Sequence, residues 1–413
     1  MSPARTFWII LTIGMGLRLA WAVAVPVMPM SDSWAYHQFA RNIVDHGIYG
    51  WTASEPTAYW AVGTSAAIAF TYLFTDSYWG VVILNLLAGG LAIVLTHALA
   101  TRWFGATVGL AAMALVAIWP NLIVFTTILS SELFFIALTL AGLFFWQRPA
   151  GHPLANLILA GLIWGIAGYV RPVILLVPVA LALADLARGP RGFARTALEA
   201  GVAMLLILLV ALPWTIRNDR VLGAPVMVST NFGPNLWMGN NPDSRGGYMP
   251  LPPEVETMSE IERAEFLKDK ARQFMRDHPG QALKLAAIKL FKLNNRETIG
   301  VVWNGDALEP RIGGTGMTLL KLVATGYWYL VFLGGFAGIA VLVGRAGWIA
   351  ALFNPPVALW GYFTALHAVV VAEDRYHMPS SAFIAMMAAL ALVALWRRWQ
   401  ARSGHPVARM GPA

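Results

Sequence analysis

Residues 79–101, WGVVILNLLAGGLAIVLTHALAT, decide the fold class, because the stretch contains no Asp, Glu, Lys or Arg. An uncharged run of this length can cross the ~30 Å apolar core of a bilayer as a helix. Similar apolar runs recur along the chain at about 7–27, 106–127, 132–147, 154–170, 172–187, 197–217, 317–343, 347–370 and 377–398. The sequence therefore predicts an all-α polytopic membrane protein with about ten transmembrane helices.

The composition excludes several other classes of protein. Hydrophobic residues make up 58% of the chain and charged residues 12%, whereas soluble globular domains average roughly 45–50% and about 25%. Cysteine is absent, which excludes disulfides, thiolate metal sites and a cysteine nucleophile. The formal net charge of +8 comes from Arg and Lys residues that lie mostly in short loops between apolar runs. This pattern indicates orientation in a membrane and not nucleic-acid binding.

The positive-inside rule predicts the orientation. If the N-terminus is cytoplasmic and the short run 59–75 does not cross, the main basic clusters face the cytoplasm. Those clusters are Arg102, Arg148, Arg188 with Arg191 and Arg195, Arg345, and Arg397 with Arg398 and Arg402. Because a crossing at 59–75 would translocate all of them, we predict that 59–75 is re-entrant or juxtamembrane on the outer side. The expected location is the bacterial inner membrane, and any active site is expected to face the periplasm.

This topology divides the chain into three parts. Residues 1–217 form an N-terminal transmembrane catalytic module with a first outer loop at 28–75, and residues 317–413 form C-terminal transmembrane helices and a cytoplasmic tail. Between them, the long polar segment (218–316) is predicted to be periplasmic.

Two helices and one loop are predicted within the long polar segment. Ser259 to Glu262 reads as a capping box that opens a charged helix ending near Asp277. Residues 281–293, QALKLAAIKLFKL, read as a basic amphipathic helix suited to the headgroup layer. The stretch 230–253 is rich in Asn, Gly and Pro and is predicted to be irregular loop.

Charged residues gather at the predicted outer face. Asp32 follows the first span, Glu132 opens the fourth, Arg171 joins the fifth and sixth, and Arg375 and His377 join the ninth and tenth. Ionisable groups at an apolar boundary are costly and are often functional. Two carboxylates and two arginines on one face suit acid–base chemistry and anion binding.

Several short motifs accompany these residues in a fixed order. They are Asp32 followed by Tyr36, Ala40, Asn42 and Gly47-Ile48-Tyr49; PTAYWAVGTS at 56–65; Ser131-Glu132; the glycine-spaced run from Gly161 to Arg171-Pro172; Pro213-Trp214 with Arg217-Asn218; the loop 229–248; and Arg375 ahead of Pro379. In this order the sequence resembles the GT-C superfamily of membrane glycosyltransferases. The likeness is to the bacterial branch similar to protein O-mannosyltransferases and aminoarabinose transferases (glycosyltransferase family 39-like).

The resemblance implies a reaction and a set of site residues. Such enzymes move a sugar from a polyprenyl-phosphate carrier to a glycan, lipid or protein acceptor outside the cytoplasm, and inversion at the sugar is implied by the same analogy. Asp32 would be the general base. The candidates for binding the carrier phosphate are Arg171, Arg375, His377 and Arg217. The candidates for binding substrate are Glu132, Glu55, Tyr36, Tyr59, Trp60 and Asn240.

No cofactor is expected. Asp32 is flanked by Ser31 and Ser33, so the Asp-x-Asp metal pair of some superfamily members is missing, and we predict metal-independent transfer. A divalent site assembled from Glu55, Glu132 and His377 stays open as an alternative.

Structural explanations compete with these roles. Asp is a preferred N-cap residue, so Asp32 fits the start of a helix near Trp34, and Glu132 also fits a cap. Arginines at helix ends often anchor in the headgroup layer. Aromatic residues near 34–60 fit an interfacial belt as well as a sugar site.

Two other functions remain open. One is a polysaccharide polymerase or ligase that uses diphosphate-linked glycans, because no residue separates a phosphate from a diphosphate. The other is a secondary transporter, although that class places charges near the membrane midplane and carries repeats, and only Arg18 is deep here. The donor sugar and the acceptor are not encoded in any motif.

Overall fold

A computed structural model describes residues 2–147, 152–189 and 192–403. Arg148 and Arg191, two of the basic residues used to predict the orientation, lie outside these ranges. Within the described residues the regular structure is helical, with an isolated bridge between Gly50 and Pro56 and no β-strand. The predicted all-α polytopic fold class is confirmed.

Seventeen α-helices follow one another in the described chain. They are α1 Pro3–Ala24, α2 Asp32–His46, α3 Gly63–Tyr72, α4 Trp79–Phe104, α5 Ala106–Ala117, α6 Pro120–Val124, α7 Glu132–Trp146, α8 Pro153–Val170, α9 Val177–Arg188, α10 Phe193–Leu222, α11 Phe232–Gly239, α12 Glu260–Asp277, α13 Pro279–Asn294, α14 Ile299–Trp303, α15 Gly305–Leu352, α16 Pro355–Val369 and α17 Ser381–Arg402. Short 3-10 turns lie at Phe125–Thr127, Pro172–Ile174, Pro253–Val255 and Asp374–Ser380. Helix α15 is interrupted at Gly313 and Gly347, whose φ values of 63° and 82° are not helical.

The apolar helices make this a multi-pass membrane protein. Among the described residues six helices are long and apolar enough to cross, namely α1, α4, α8, α10, α15, and α17 with the turn before it. The pair α5 and α6, bent by 56°, makes a seventh if it is one span. The other predicted spans, α7, α9 and α16, have 15, 12 and 15 residues, fewer than the ~20 that a perpendicular crossing needs. The count of ten therefore stays a prediction.

The run 59–75 contains only one helix, α3, with 10 residues. At 1.5 Å per residue it is about 15 Å long, half of the apolar thickness of a bilayer. This length agrees with the prediction that 59–75 does not cross by itself.

The bend between α5 and α6 explains the deep arginine of the first span. Arg18 is buried and donates to the backbone carbonyls of Val116 (3.1 Å) and Ala117 (2.7 Å), at the C-terminal end of α5. A guanidinium suits the carbonyl-rich end of a helix, because those carbonyls have no partner within the helix. Arg18 therefore joins α1 to α5 in the described structure.

The long polar segment is more helical than predicted. The capping box at Ser259 and Glu262 is present, and α12 ends at Asp277 as expected. The prediction of irregular structure throughout 230–253 is wrong, because α11 occupies Phe232–Gly239. Helix α11 packs on α12 so closely that a Cβ on Gly233 would lie 1.9 Å from the carbonyl oxygen of Ala264. The Asn, Gly and Pro content predicted a loop, whereas this tertiary contact stabilises a helix.

Candidate active site

Four charged side chains from four separate parts of the chain meet in one cluster. Arg375 donates from Nη2 to Oδ2 of Asp32 at 2.5 Å, and its Nη1 lies 3.5 Å from Oε1 of Glu132. Arg171 donates to the same Oε1 of Glu132 and, from Nε, to the hydroxyl of Ser131 at 2.7 Å. Positive and negative groups alternate along this charge cluster (Asp32, Arg375, Glu132, Arg171). The four residues that the sequence predicted on one face are thus linked by a continuous chain of contacts.

Asp32 lies at a strained point of the backbone. It is the first residue of α2, and the preceding Ser31 has φ 52° and ψ −129°. Ser31 is the one non-glycine residue with positive φ in the described chain. Such a conformation costs on the order of 1–3 kcal/mol and persists where the surroundings impose it. The N-cap position belongs to Ser31, and the carboxylate of Asp32 is bound by Arg375, so N-capping does not account for Asp32.

Glu132 is the buried centre of the charge cluster. It begins α7, with Ser131 at the N-cap, and its side chain has no exposed surface. A buried carboxylate needs counter-ions, because the cost of removing its charge from water is otherwise several kcal/mol. Arg171, at the C-terminal end of α8, and Arg375 supply them. Glu132 therefore holds the two arginines side by side.

Two aromatic rings contact the guanidinium of Arg375. The guanidinium carbon of Arg375 lies 4.3 Å from the ring centre of Trp303 and 5.3 Å from that of Tyr376. Cation–π contacts of this kind orient a guanidinium as well as stabilise it. Both arginines thus turn toward carboxylates and rings, and their side chains are only 12% and 15% exposed.

A packed aromatic group adjoins Asp32. Tyr36 packs against Trp60 at 5.7 Å, Trp60 against Tyr59 at 5.3 Å, and Trp51 against Trp60 at 5.7 Å between ring centres. Burial, and then the charge of Asp32, raise the pKa of Tyr36 above its ordinary value. Burial raises the pKa of Tyr59 to about 12. Both phenols are therefore neutral hydrogen-bonding groups at physiological pH.

Two predicted site residues, Arg217 and Glu55, lie apart from the charge cluster. Arg217 donates to the carbonyls of Tyr49 (2.9 Å) and Thr57 (2.8 Å) and lies over the ring of Trp214. Glu55 is exposed, with a long contact of 3.4 Å to Thr52. Arg217 thus holds the loop that presents the aromatic group, and the binding roles of both residues stay predictions.

His377 and Asn240 have buried partners in the long polar segment. His377 contacts Glu297, and Asn240 donates to the carbonyl of Val369 at 2.8 Å. Asn240 also accepts from the ammonium of Lys289 at 3.0 Å. Neither side chain has a hydrogen bond or ion pair with the charge cluster, and their roles in binding stay predictions.

Sequence reasoning missed Glu260. Its carboxylate accepts from the hydroxyl of Thr57, from the backbone N–H of Ala58 (2.9 Å) and from the hydroxyl of Thr230 (2.8 Å). It therefore ties α12 to the PTAYW stretch (56–60) that carries Tyr59 and Trp60. The sequence does place Glu260 at the first position of the helix whose capping box begins at Ser259. Its hydrogen-bond partners are distant in sequence, so no local pattern predicts them.

The side chains of Glu55, Glu132 and His377, which the sequence offered as an alternative divalent site, do not come together in the described residues. In the ranges 2–147, 152–189 and 192–403, no three His, Asp or Glu side chains gather as metal ligands would. Glu132 is bound by two arginines, and His377 is bound by Glu297.

Comparison with known proteins supports the predicted resemblance. Residues 58–216 match the family described as dolichyl-phosphate-mannose-protein mannosyltransferase. ArnT from Cupriavidus metallidurans, in the apo state, has a TM-score of 0.60 and 16% identity, covering 97% of this chain and 62% of its own. The same ArnT bound to undecaprenyl phosphate scores 0.59 at 15% identity, covering 96% of this chain and 62% of its own. No curated protein sequence matches the chain.

A second kind of enzyme shares the fold. The archaeal oligosaccharyltransferase AglB from Archaeoglobus fulgidus, in complex with an inhibitory peptide and a dolichol-phosphate, has a TM-score of 0.57 and 14% identity. The match covers 100% of this chain and 52% of AglB. This chain therefore spans about half to three-fifths of the length of these solved proteins. The family match and the shared fold confirm the resemblance that the motifs predicted.

Proposed function

We propose that this chain, a member of the GT-C superfamily of membrane glycosyltransferases, moves a sugar from a polyprenyl-phosphate carrier to an acceptor on the periplasmic side of the inner membrane. The observation that carries the proposal is the charge cluster, where a candidate base and two arginines meet. The neighbours add support, because ArnT is described with undecaprenyl phosphate and AglB with a dolichol-phosphate. The acceptor is a glycan, lipid or protein bearing a nucleophile.

Asp32 is the proposed general base. Its carboxylate takes the proton of an acceptor hydroxyl while that oxygen attacks the anomeric carbon of the sugar. The new bond joins the acceptor oxygen to the anomeric carbon. The bond from this carbon to the carrier phosphate breaks, and its electron pair leaves with the phosphate. A single displacement of this kind inverts the anomeric centre.

Arg171 and Arg375 are the proposed phosphate ligands. Guanidinium groups match phosphate oxygens in pairs, and they stabilise the charge that grows on the leaving phosphate. Glu132 holds both arginines from a fully buried position. We therefore assign it to the support of the anion site, in place of direct contact with the sugar.

The bond between Arg375 and Asp32 implies an order of events. A guanidinium that donates to a phosphate oxygen gives up part of its contact with Asp32, since the two anions compete for the same N–H groups. The donor phosphate then frees Asp32 to act as a base. Donor binding is thus expected to precede deprotonation of the acceptor.

The neighbouring aromatic group is the proposed surface for the sugar or the acceptor. Tyr36 and Tyr59 both pack against Trp60, and the charge of Asp32 acts on both phenols. The group offers neutral phenols and an indole face. We expect transfer without a metal ion, as proposed from the missing Asp-x-Asp pair.

A transfer assay tests the proposal. Purified protein receives short-chain polyprenyl-phosphate sugars and a native membrane extract as the acceptor source, with and without EDTA, and free lipid phosphate is quantified. Asp76→Asn is the matched control for Asp32→Asn, because Asp76 is an exposed carboxylate paired with Arg41. We expect release by wild type and the control in EDTA, and none by Asp32→Asn.

Three results would contradict the proposal. Consumption of diphosphate-linked glycans alone would favour a polymerase or ligase. Solute movement in proteoliposomes without any release of lipid phosphate would favour a transporter. Full release by Asp32→Asn would remove Asp32 as the base.

A further inference from the structure

The short turn that carries Arg375 is held by one stretch of the long polar segment. Residues 297–303 make three separate contacts with residues 374–377. Glu297 contacts His377, and Thr298 donates from its backbone N–H (3.0 Å) and hydroxyl (2.9 Å) to Asp374. The third contact is the stacking of Trp303 on Arg375 described above.

A hydrogen bond joins Glu297 to His377. Nδ1 of His377 lies 2.7 Å from the carbonyl oxygen of Leu293, which only accepts hydrogen bonds, so Nδ1 carries a hydrogen. Nε2 lies 3.0 Å from Oε1 of Glu297. That contact needs a second hydrogen, either on Nε2 of an imidazolium or on the Glu297 carboxyl. In the first case the bond is charge-assisted, and in the second it joins a neutral acid to a neutral imidazole; in both it fixes the ring relative to the carboxyl group.

Glu297 and His377 are buried, and neighbouring side chains hold both of them in place. Glu297 has no exposed surface and His377 is 3% exposed. The indole N–H of Trp119 donates to both carboxylate oxygens of Glu297, at 3.1 and 2.9 Å. The ring of Trp328 stacks on His377 at 3.8 Å between centres, with 9° between planes. Because each side-chain polar atom of the pair has a partner and the imidazole is stacked on Trp328, His377 has little freedom to move.

We propose that Glu297 and His377 are a positioning pair for Arg375, and this inference rests on the proposed role of Arg375 in binding the donor phosphate. His377 lies two residues beyond Arg375 on the same 3-10 turn. Fixing the imidazole fixes the turn, and the turn sets where the Arg375 guanidinium meets the phosphate. Through this pair the long polar segment supports the donor site without contacting the donor itself.

Binding of short-chain polyprenyl phosphate to the purified full chain tests the pair. We expect Glu297→Ala and His377→Ala to weaken binding by about tenfold, a typical size for coupled neighbours. Glu297→Gln keeps an oxygen for Trp119 and an N–H for His377, so it is expected to retain most of the affinity. Glu199→Ala is the matched control, since Glu199 is a buried glutamate paired with Arg195 near the start of α10, at the opposite end of that helix from Arg217.

A double-mutant cycle separates positioning from general stability. In an Arg375→Ala background, Glu297→Ala is expected to cause no further loss of affinity, because the group that it positions is already gone. Glu199→Ala is expected to cause the same small loss in both backgrounds. If Glu297→Ala does not fold, Glu297→Gln in the same cycle gives the answer, because its residual loss must also vanish without Arg375.

The outcomes distinguish this inference from the proposed function. Additive losses for Glu297→Ala and Arg375→Ala, or wild-type affinity in Glu297→Ala, overturn the positioning pair. An equal loss in Glu297→Gln and Glu297→Ala also overturns it, since hydrogen bonding would then not be the cause. Absence of lipid-phosphate binding by wild type would instead overturn the proposed function.

Discussion

Arg375 donates a hydrogen bond of 2.5 Å to Asp32, across 343 positions of sequence. The candidate base and a candidate phosphate ligand are therefore bound directly to each other. This relationship makes the two ends of the reaction, proton removal and phosphate binding, depend on one guanidinium. Variants of Asp32 are therefore expected to separate an effect on catalysis from an effect on phosphate binding, whereas variants of Arg375 change both.

Asp32→Asn is expected to abolish transfer while leaving lipid-phosphate binding at least as tight as in wild type. Loss of a general base costs roughly 10²–10⁴ in rate. Binding is retained because the variant removes a carboxylate that competes with the phosphate for Arg375. Calorimetric titration with short-chain polyprenyl phosphate, beside the transfer assay, measures both. Weaker binding in Asp32→Asn than in the Asp76→Asn control would contradict this account.

Arg375→Lys is expected to weaken binding of polyprenyl phosphate by about tenfold, because an ammonium cannot form two parallel bonds to a phosphate. Arg171→Lys is expected to behave in the same way. Arg41→Lys serves as the control, since Arg41 pairs with Asp45 and Asp76 at the surface. Equal affinity in all three variants would exclude Arg171 and Arg375 as ligands of the phosphate.

Glu132→Gln is expected to destabilise the fold by ~3 kcal/mol, because removal of one partner leaves buried charge without compensation. Glu132 compensates two guanidinium groups and has no exposed surface. Chemical unfolding in detergent measures the change, with exposed Glu254→Gln as the control. A variant as stable as the control would show that Glu132 is dispensable for the cluster, and would restore direct substrate binding as its role.

Glu260→Ala is expected to loosen the contact between α12 and residues 56–60. Three donors lose their acceptor, namely two hydroxyls and one backbone N–H, and each buried unsatisfied group costs about 1–3 kcal/mol. Hydrogen exchange of α12 and of the loop at 57–58 should rise together. Glu265→Ala, an exposed residue of the same helix, should leave both unchanged. Faster exchange confined to α12 would argue against the coupling.

Lys289 predicts a pH dependence of stability. Burial lowers the pKa of its ammonium to about 8, from an ordinary value of 10.5. The folded chain therefore releases this proton at a lower pH than the unfolded chain, so burial of the charge opposes folding most below pH 8. The opposition fades as pH rises from about 8 to 10.5.

The difference in free energy of unfolding between wild type and Lys289→Met should accordingly shift in favour of wild type across that interval. Exposed Lys284→Met, on the same helix, is the control and should show no such shift. A difference that falls with pH would mean that the hydrogen bonds to Asn240 and to the carbonyls of Val369 and Val370 outweigh the effect of burial.

Much of the helical pattern was predictable because apolar runs and caps are local. The capping box at Ser259 and the long uncharged run at 79–101 both appear where the sequence places them. Helix α11 was not predictable, since its Asn, Gly and Pro residues favour a loop until α12 packs against Gly233. His377 was assigned to the phosphate for its position alone, and its partner Glu297 lies 80 positions earlier in the chain.

By itself the sequence determined that the chain is a multi-pass helical membrane protein and that Asp32, Glu132, Arg171 and Arg375 belong to one face. Those properties follow from hydrophobicity and charge counted along the chain, and they need no knowledge of how helices pack. Only the tertiary structure decided that Arg375 joins Asp32 to Glu132, and that His377 turns away from them to Glu297. Pairing of this kind depends on the rotation and tilt of helices distant in sequence, and these are set by side-chain packing between the helices.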